Sequence, residues 1–286
     1  MGEECIHGFD EGLCAICSPP PEPEAPARAA RTRATRAAGT GPAAARGGGS
    51  TRASRPAASA RSPRLAGASA PPLDAGKARL YHVTHIENLG RILGAGALLA
   101  DAGDPPASPV VDVADPAARA YRRSTSVGDT GAHVAEYVPF LLSTDAHVWD
   151  AIRTGTPDPR LTAEAVRRPA ADHVLLVTSV AAAAGARLHS PGEVAVSETD
   201  AALGGAAIAA TWPDAERAIA RVTFADEGAG LRAAEVLVRG SVPIERIALI
   251  AVANDRVRDR VRAALQAVGA KVRVAVYPPW FLGGAE

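Results

Sequence analysis

Arg79-Leu-Tyr-His-Val-Thr-His-Ile-Glu-Asn-Leu-Gly-Arg-Ile-Leu-Gly-Ala-Gly96 reads as a short strand that runs into a helix. Leu80, Tyr81 and Val83 give the strand its β-branched and aromatic content. Thr84 with Glu87 three residues on has the spacing of a capping box. Ile86, Leu89, Ile92 and Leu93 recur at helical spacing, and Gly94 and Gly96 are stop signals. His82 and Thr84 then share one strand face beside a helix N-terminus, where free N–H groups and the helix dipole favour an anionic or polar ligand. On spacing alone, a plain strand–turn–helix with a surface histidine carries more weight.

Outward from this stretch, Ala100–Val111 reads as loop, and Asp115-Pro116 as the cap and first position of a helix that carries Tyr121-Arg122-Arg123 at its end. Arginines there also suit the helix dipole without any further role. Strands are expected over Glu136–Ser143, Asp172–Val180, Leu231–Arg239, Ile247–Ala253 and Val272–Val276. Helices are expected over Asp145–Arg153, ended by Gly155, over Ala215–Arg221, and after Asn254 with Val257, Val261, Leu265 and Val268 in one stripe up to Gly269. Pro278-Pro-Trp-Phe is a tail that tucks onto the sheet. Glu235 would share a strand face with Leu237, opposite Val236 and Val238. A carboxylate amid apolar neighbours implies an exposed face or a cleft where a basic group compensates it. Several short strands without βαβ alternation argue an α+β fold. No Gly-x-Gly-x-x-Gly follows a strand, and neither a Walker loop nor His-Glu-x-x-His occurs.

Tyr81, His82, Thr84, His85, Asn88, Leu89, Ile92 and Leu93 match the opening motif Tyr-His-x-Thr-His-x-x-Asn-Leu of the DarT family, DNA ADP-ribosyltransferases that are toxins of toxin–antitoxin pairs. Ala234-Glu-Val-Leu-Val238 resembles a second family motif, Tyr-Val-Pro-Phe at 137–140 a third, and Val242-Pro-Ile-Glu-Arg-Ile247 a fourth. The resemblance spans roughly residues 79–280. It implies an ADP-ribosyltransferase-like fold of two small sheets with flanking helices. It also implies NAD as substrate and single-stranded DNA and a DarG-like macrodomain antitoxin as partners. His82, Val83, Thr84, Arg91, Leu99 and Arg122 would hold NAD, and Arg122 and Glu235 would be catalytic. Arg123 is the alternative to Arg122 in that match. Leu141-Leu-Ser-Thr-Asp-Ala-His-Val-Trp149 departs from the family pattern, and Val194–Ala202 is only loosely similar to its Thr-Asp-Gly-Asn-Ala stretch. The same fold also serves protein-directed transferases. Ala233 stands where their second glutamate would precede Glu235 by two residues, which disfavours that reading.

The chain has 286 residues, 47% hydrophobic, with formal net charge +0. That suffices for one sizeable domain with appendages. No apolar run approaches the length of a membrane span, and the acidic N-terminus is no signal peptide, so a cytoplasmic protein is expected. Arginine outnumbers lysine 29 to 2, which reads mostly as a GC-rich codon bias. All three cysteines lie near the start, in Cys5-x-His7-x6-Cys14-x2-Cys17. This spacing predicts a structural Cys3His zinc site in a knuckle-like segment over 1–18; the plainer alternative is a tail with exposed thiols. Residues 19–75, rich in Ala, Pro, Arg and Gly, lack the apolar side chains that offset ordering entropy and read as a disordered linker. Its nine arginines are a phosphate-tracking element or a solvated linker in equal measure. A non-catalytic DNA-binding module built from these two segments is the rival reading. The domain organisation expected is therefore 1–18, 19–75 and 76–286.

Overall fold

The computed structural model describes residues 73–225 and 228–283. The Cys5, His7, Cys14 and Cys17 cluster and the linker up to residue 72 lie outside the described residues. The order is β1 (Arg79–His85), α1 (Leu89–Ala95), β2 (Ala97–Leu99), α2 (Pro116–Ser124), β3 (Tyr137–Leu141), α3 (His147–Thr154), α4 (Ala163–Arg167), β4 (His173–Ser179) and α5 (Val180–Ala184). Then come β5 (Val194–Ser197), β6 (Ile208–Ala209), α6 (Trp212–Thr223), α7 (Ala229–Ala233), β7 (Glu235–Arg239), β8 (Ser241–Pro243), β9 (Leu249–Val252), α8 (Asp255–Val268) and β10 (Arg273–Val276).

The fold is α+β, but its sheets are not two small ones. One eight-stranded mixed sheet runs β10-β9-β4-β1-β3-β7-β5-β6, beside a two-stranded sheet of β2 and β8. The large sheet is nearly two. Strands β1 and β4 pair along their whole length, and β3 pairs with β7 over five residues. Between β1 and β3 the only register pair is Tyr81 with Leu141. Two residues back along β3 from Leu141 stands Pro139, which has no N–H to give the ladder. The Pro139 carbonyl accepts instead from the His82 ring at 2.9 Å. The strands separate from this point and leave a cleft. One βαβ unit does occur, since β9 and β10 are parallel and joined by α8.

Both faces of the sheet are covered, which explains why β4 is a continuous buried run from His173 to Thr178. One face packs against α1, α5, α6 and α8 through Leu80, Phe140, Leu176, Val236 and Ile250. The other carries two separate clusters: Tyr81, Leu175, Trp149 and Phe281, and Tyr137, Ala195 and Leu237. The tail docks onto the first of these. Trp280 meets Tyr81 edge to face at 5.4 Å and accepts the Trp149 indole N–H at 2.8 Å. Between the two clusters, where β1 and β3 part, the apolar carpet is interrupted.

Local readings were corrected where tertiary pairing intervened. Strand β1 continues through His85, which pairs with His173. His85, not Thr84, caps the following turn, its ring accepting from Glu87 N–H at 3.3 Å. Gly94 lies inside α1, and Gly96 ends it with φ 68°, a left-handed cap that glycine adopts without penalty. Residues Leu231 to Ala233 belong to α7, so the strand begins at Glu235. Helix α8 has Asn254 as its cap and Val257, Val261 and Leu265 inward, but Val268 is 49% exposed.

Candidate active site

Helix α2 starts as the dipeptide Asp115-Pro116 directs: the Asp115 carboxylate accepts from Ala117 N–H at 2.8 Å, and Pro116 takes the first helical position. Arg119 and Arg122, three apart, share its inward face. Arg119 bonds to Asp101 and to Asp112, the latter at 2.6 Å, and Arg123 reaches Asp101 at 2.9 Å. Arg122, rather than Arg123, reaches Glu235, with Nη1 donating at 3.0 Å to Oε2. The two residues are 113 positions apart in the chain.

Glu235 is the first residue of β7, 5% exposed, and stands in the gap between the two apolar clusters. Leu141 of β3 is its register partner on one side and Ser197 of β5 on the other. Its Oε2 also accepts the Ala201 N–H at 3.2 Å. Burial pushes the Glu235 carboxyl above the usual carboxylate range; the Arg122 charge opposes this and the Asp200 charge adds to it. Asp200, also 5% exposed, pairs with Arg160 at 2.7 Å. Arg160 is in turn held by Asp158, whose carboxylate accepts from it at 2.7 and 2.5 Å. Sequence reasoning missed Asp200, Arg160 and Asp158. Arg122 Nη2 and Ser197 Oγ are buried without a hydrogen-bond partner among the described residues.

Two cavities meet at this cluster. The larger, about 270 Å³, is lined by all six residues expected to hold a dinucleotide: His82, Val83, Thr84, Arg91, Leu99 and Arg122. The smaller, about 180 Å³, is lined by Glu235, Arg122, Asp200 and Arg160 on its polar side and by Tyr81, Val83, Trp149 and Leu161 on its apolar side. His82, Val83, Arg119 and Arg122 border both. Burial lowers the His82 pKa, and its bond to Pro139 opposes that, so the ring is a neutral group whose Nδ1–H is already engaged. The Thr84 hydroxyl is occupied by the Asn88 amide at 3.1 Å, and Arg91 is tied to Ser108 at 2.7 and 2.8 Å. His173, at the base of the apolar side, is held neutral by burial, its pKa lowered to about 4.

Asn88 shapes the larger cavity. Its amide donates to Thr84 and to the Val111 carbonyl at 2.9 Å, and its oxygen accepts from Val110 and Val111 N–H at 2.7 and 2.8 Å. It therefore pins the 100–115 loop to the end of β1. Asn88→Ala should cost about 2–3 kcal/mol in urea denaturation, because buried backbone groups lose their partners. Dinucleotide affinity measured by calorimetry should fall with it, since the loop forms one wall of the cavity.

A guanidinium bordering both chambers, paired with a carboxylate in the smaller one, suits a long ligand that spans them and whose reacting bond, where positive charge develops, lies beside that carboxylate. Among the described residues, no group of three or more His, Cys, Asp or Glu side chains is arranged to hold a metal ion, and no helix is long and apolar enough to cross a membrane.

The family model described as ssDNA thymidine ADP-ribosyltransferase, DarT, matches residues 81–282. Among solved structures, the chain resembles Thermus sp. 2.9 DarT in complex with ADP-ribosylated ssDNA at 23% identity and TM-score 0.58, covering 71% of this chain and 96% of that one. It resembles the carba-NAD+ complex of the same protein at 25% identity and TM-score 0.54, covering 71% and 97%. Thermosipho africanus DarTG in complex with ADP-ribose is similar at 17% identity and TM-score 0.51, covering 71% of this chain and 50% of that one. Among curated proteins no match is found.

Proposed function

This chain belongs to the DarT family of single-stranded DNA thymidine ADP-ribosyltransferases, and from that premise we propose that it transfers ADP-ribose from NAD to a thymine base of single-stranded DNA. The observation that carries the reading is the meeting at 3.0 Å of Glu235, in the smaller cavity, with Arg122, which borders both. His82, Val83, Thr84, Arg91, Leu99 and Arg122 line the chamber for the dinucleotide, and Glu235 faces the ribose carbon that bears nicotinamide.

The bond between that carbon and the nicotinamide nitrogen breaks, and the electron pair leaves with neutral nicotinamide. The ribose passes through an oxocarbenium-like state, which the Glu235 carboxylate stabilises. In DNA the thymine N1 is bonded to deoxyribose, so N3 is the ring nitrogen that still carries a proton. N3 forms the new bond to the ribose carbon, and its proton passes to Glu235, whose raised pKa suits it to accept. In a duplex that N–H is paired and stacked, so single-stranded DNA is the substrate.

The decisive experiment incubates the purified chain with NAD and thymine-containing or thymine-free oligonucleotides, followed by mass spectrometry. One ADP-ribose added per reactive thymine is expected. No adduct on any oligonucleotide would overturn the reading. ADP-ribose on protein side chains instead would favour the protein-directed rival, which Ala233 in place of a second glutamate already disfavours. DNA binding that ignores NAD would favour a non-catalytic module.

The family likeness supports a toxin role in the cytoplasm, with a DarG-like macrodomain antitoxin as partner. Cys5, His7, Cys14 and Cys17 are proposed to hold a structural zinc. The purified chain should then carry about one zinc per molecule, the tetrahedral Cys3His stoichiometry, and Cys14→Ser should release it. Metal-free protein with three freely reactive thiols would refute the site.

A further inference from the structure

We propose that Asp200 and Arg160 are positioning residues that hold Arg122 and the Ala201 N–H against Glu235; the inference rests on the transferase reading above. Asp200 lies in the turn after β5, and its Oδ1 accepts the Ala202 N–H at 2.7 Å. That bond fixes the turn from which Ala201 N–H reaches Glu235 Oε2 at 3.2 Å. Asp200 Oδ1 is also 3.9 Å from Arg122 Nη1, so one guanidinium nitrogen is shared by two carboxylates. Glu235 holds it closely, at 3.0 Å, and Asp200 attracts the same nitrogen more weakly.

A buried carboxylate in such a turn needs compensation, and Arg160 supplies it. Arg160 binds Asp200 at 2.7 Å and is itself fixed by the Asp158 fork at 2.7 and 2.5 Å. The result is a chain of alternating charge, Asp158–Arg160–Asp200–Arg122–Glu235, that ends at the reacting position. A charge-assisted network of this kind orients its last member as one unit. Arg160 precedes α4, Asp200 follows β5 and Arg122 lies on α2, so the network ties three elements to β7. The other titratable or charged groups lining the same cavity are Arg119 from α2, Tyr81 and His82 from β1, and His173 from β4.

Asp200→Asn in the full chain tests this with three readouts. The first is the rate of transfer to an oligonucleotide, the second NAD affinity, and the third the ¹³C titration of the Glu235 carboxyl, assigned by its loss in Glu235→Gln. Misplacing Arg122 should lower kcat about ten- to a hundredfold while NAD affinity stays within about threefold. Removing the Asp200 charge should also move the Glu235 titration, and the acid limb of the rate profile, to lower pH, because a like charge no longer disfavours ionisation. An unchanged kcat, an affinity that falls in step with the rate, or an unmoved Glu235 titration would each overturn the proposal. Should Asp200→Asn fail to fold, Arg160→Lys keeps the cation but loses the fork and should show the same rate loss at unchanged affinity; a wild-type rate there overturns it equally. If the wild-type chain transfers nothing, the transferase reading fails, while affinity and the Glu235 titration still decide the positioning role.

Discussion

Glu235→Gln should slow single-turnover transfer of ADP-ribose to single-stranded DNA about a hundred- to a thousandfold, the effect of removing one electrostatic contact worth about 3–4 kcal/mol in the transition state. Glutamine keeps the shape and volume of the side chain and loses the charge. NAD affinity should be retained, because the ribose carbon carries no developed charge in the ground state. Stability should not fall. Burial raises the Glu235 pKa in the folded chain. Its favourable contribution is therefore present at acid pH and is lost as the pH rises from the ordinary carboxylate value through the raised one. At neutral pH the buried charge is a cost, and glutamine removes it. The melting temperature of the variant should equal or exceed that of the wild type. The wild-type rate should accordingly have an acid limb above the ordinary carboxylate pKa. A glutamine variant transferring at near wild-type rate would remove Glu235 from the mechanism.

Arg122→Ala should lose activity and stability together. The Arg122 side chain is 16% exposed and faces two buried carboxylates. Its removal leaves Glu235 without a counter-charge, while Asp200 keeps Arg160, at a cost of about 3 kcal/mol, the low end for a broken buried pair because Glu235 can take up a proton. Arg122→Lys separates the two losses. A lysine restores the charge and should recover most of the stability in denaturant titrations. It cannot reproduce a planar guanidinium that meets Glu235 through Nη1 and keeps a second buried donor, Nη2, unengaged. Transfer should therefore remain down about a hundredfold. A lysine variant with full activity would show that charge alone suffices at this position.

Much of this was legible because the residues concerned sit in short, locally consistent segments. Asp115-Pro116 states a helix start, Asn254 and Gly269 bracket α8, and the apolar β4 run states a strand buried on both faces. What failed depended on partners far along the chain. Nothing local says that His85 will extend β1 by pairing with His173. Leu231-Arg-Ala-Ala carries no period of its own, and an alanine-rich approach to a strand serves equally as the last turn of a helix. The division of the sheet was half legible: Pro139 announces a missing donor, but not which neighbour will want one. Asp200 was hidden for a different reason. Ser-Glu-Thr-Asp looks like a solvated turn, and the Arg160 that permits its burial is 40 positions away.

The charge chain has one more consequence. With Glu235 ionised, three carboxylates, Asp158, Asp200 and Glu235, stand against two guanidiniums, Arg160 and Arg122, so the cluster holds one unpaired negative charge. A proton on Glu235 and the positive charge that develops on the ribose carbon are two ways of neutralising that same surplus. They compete for one place: the cluster at rest is drawn toward the proton, and acid pH fills in advance the vacancy of charge on which the reaction depends.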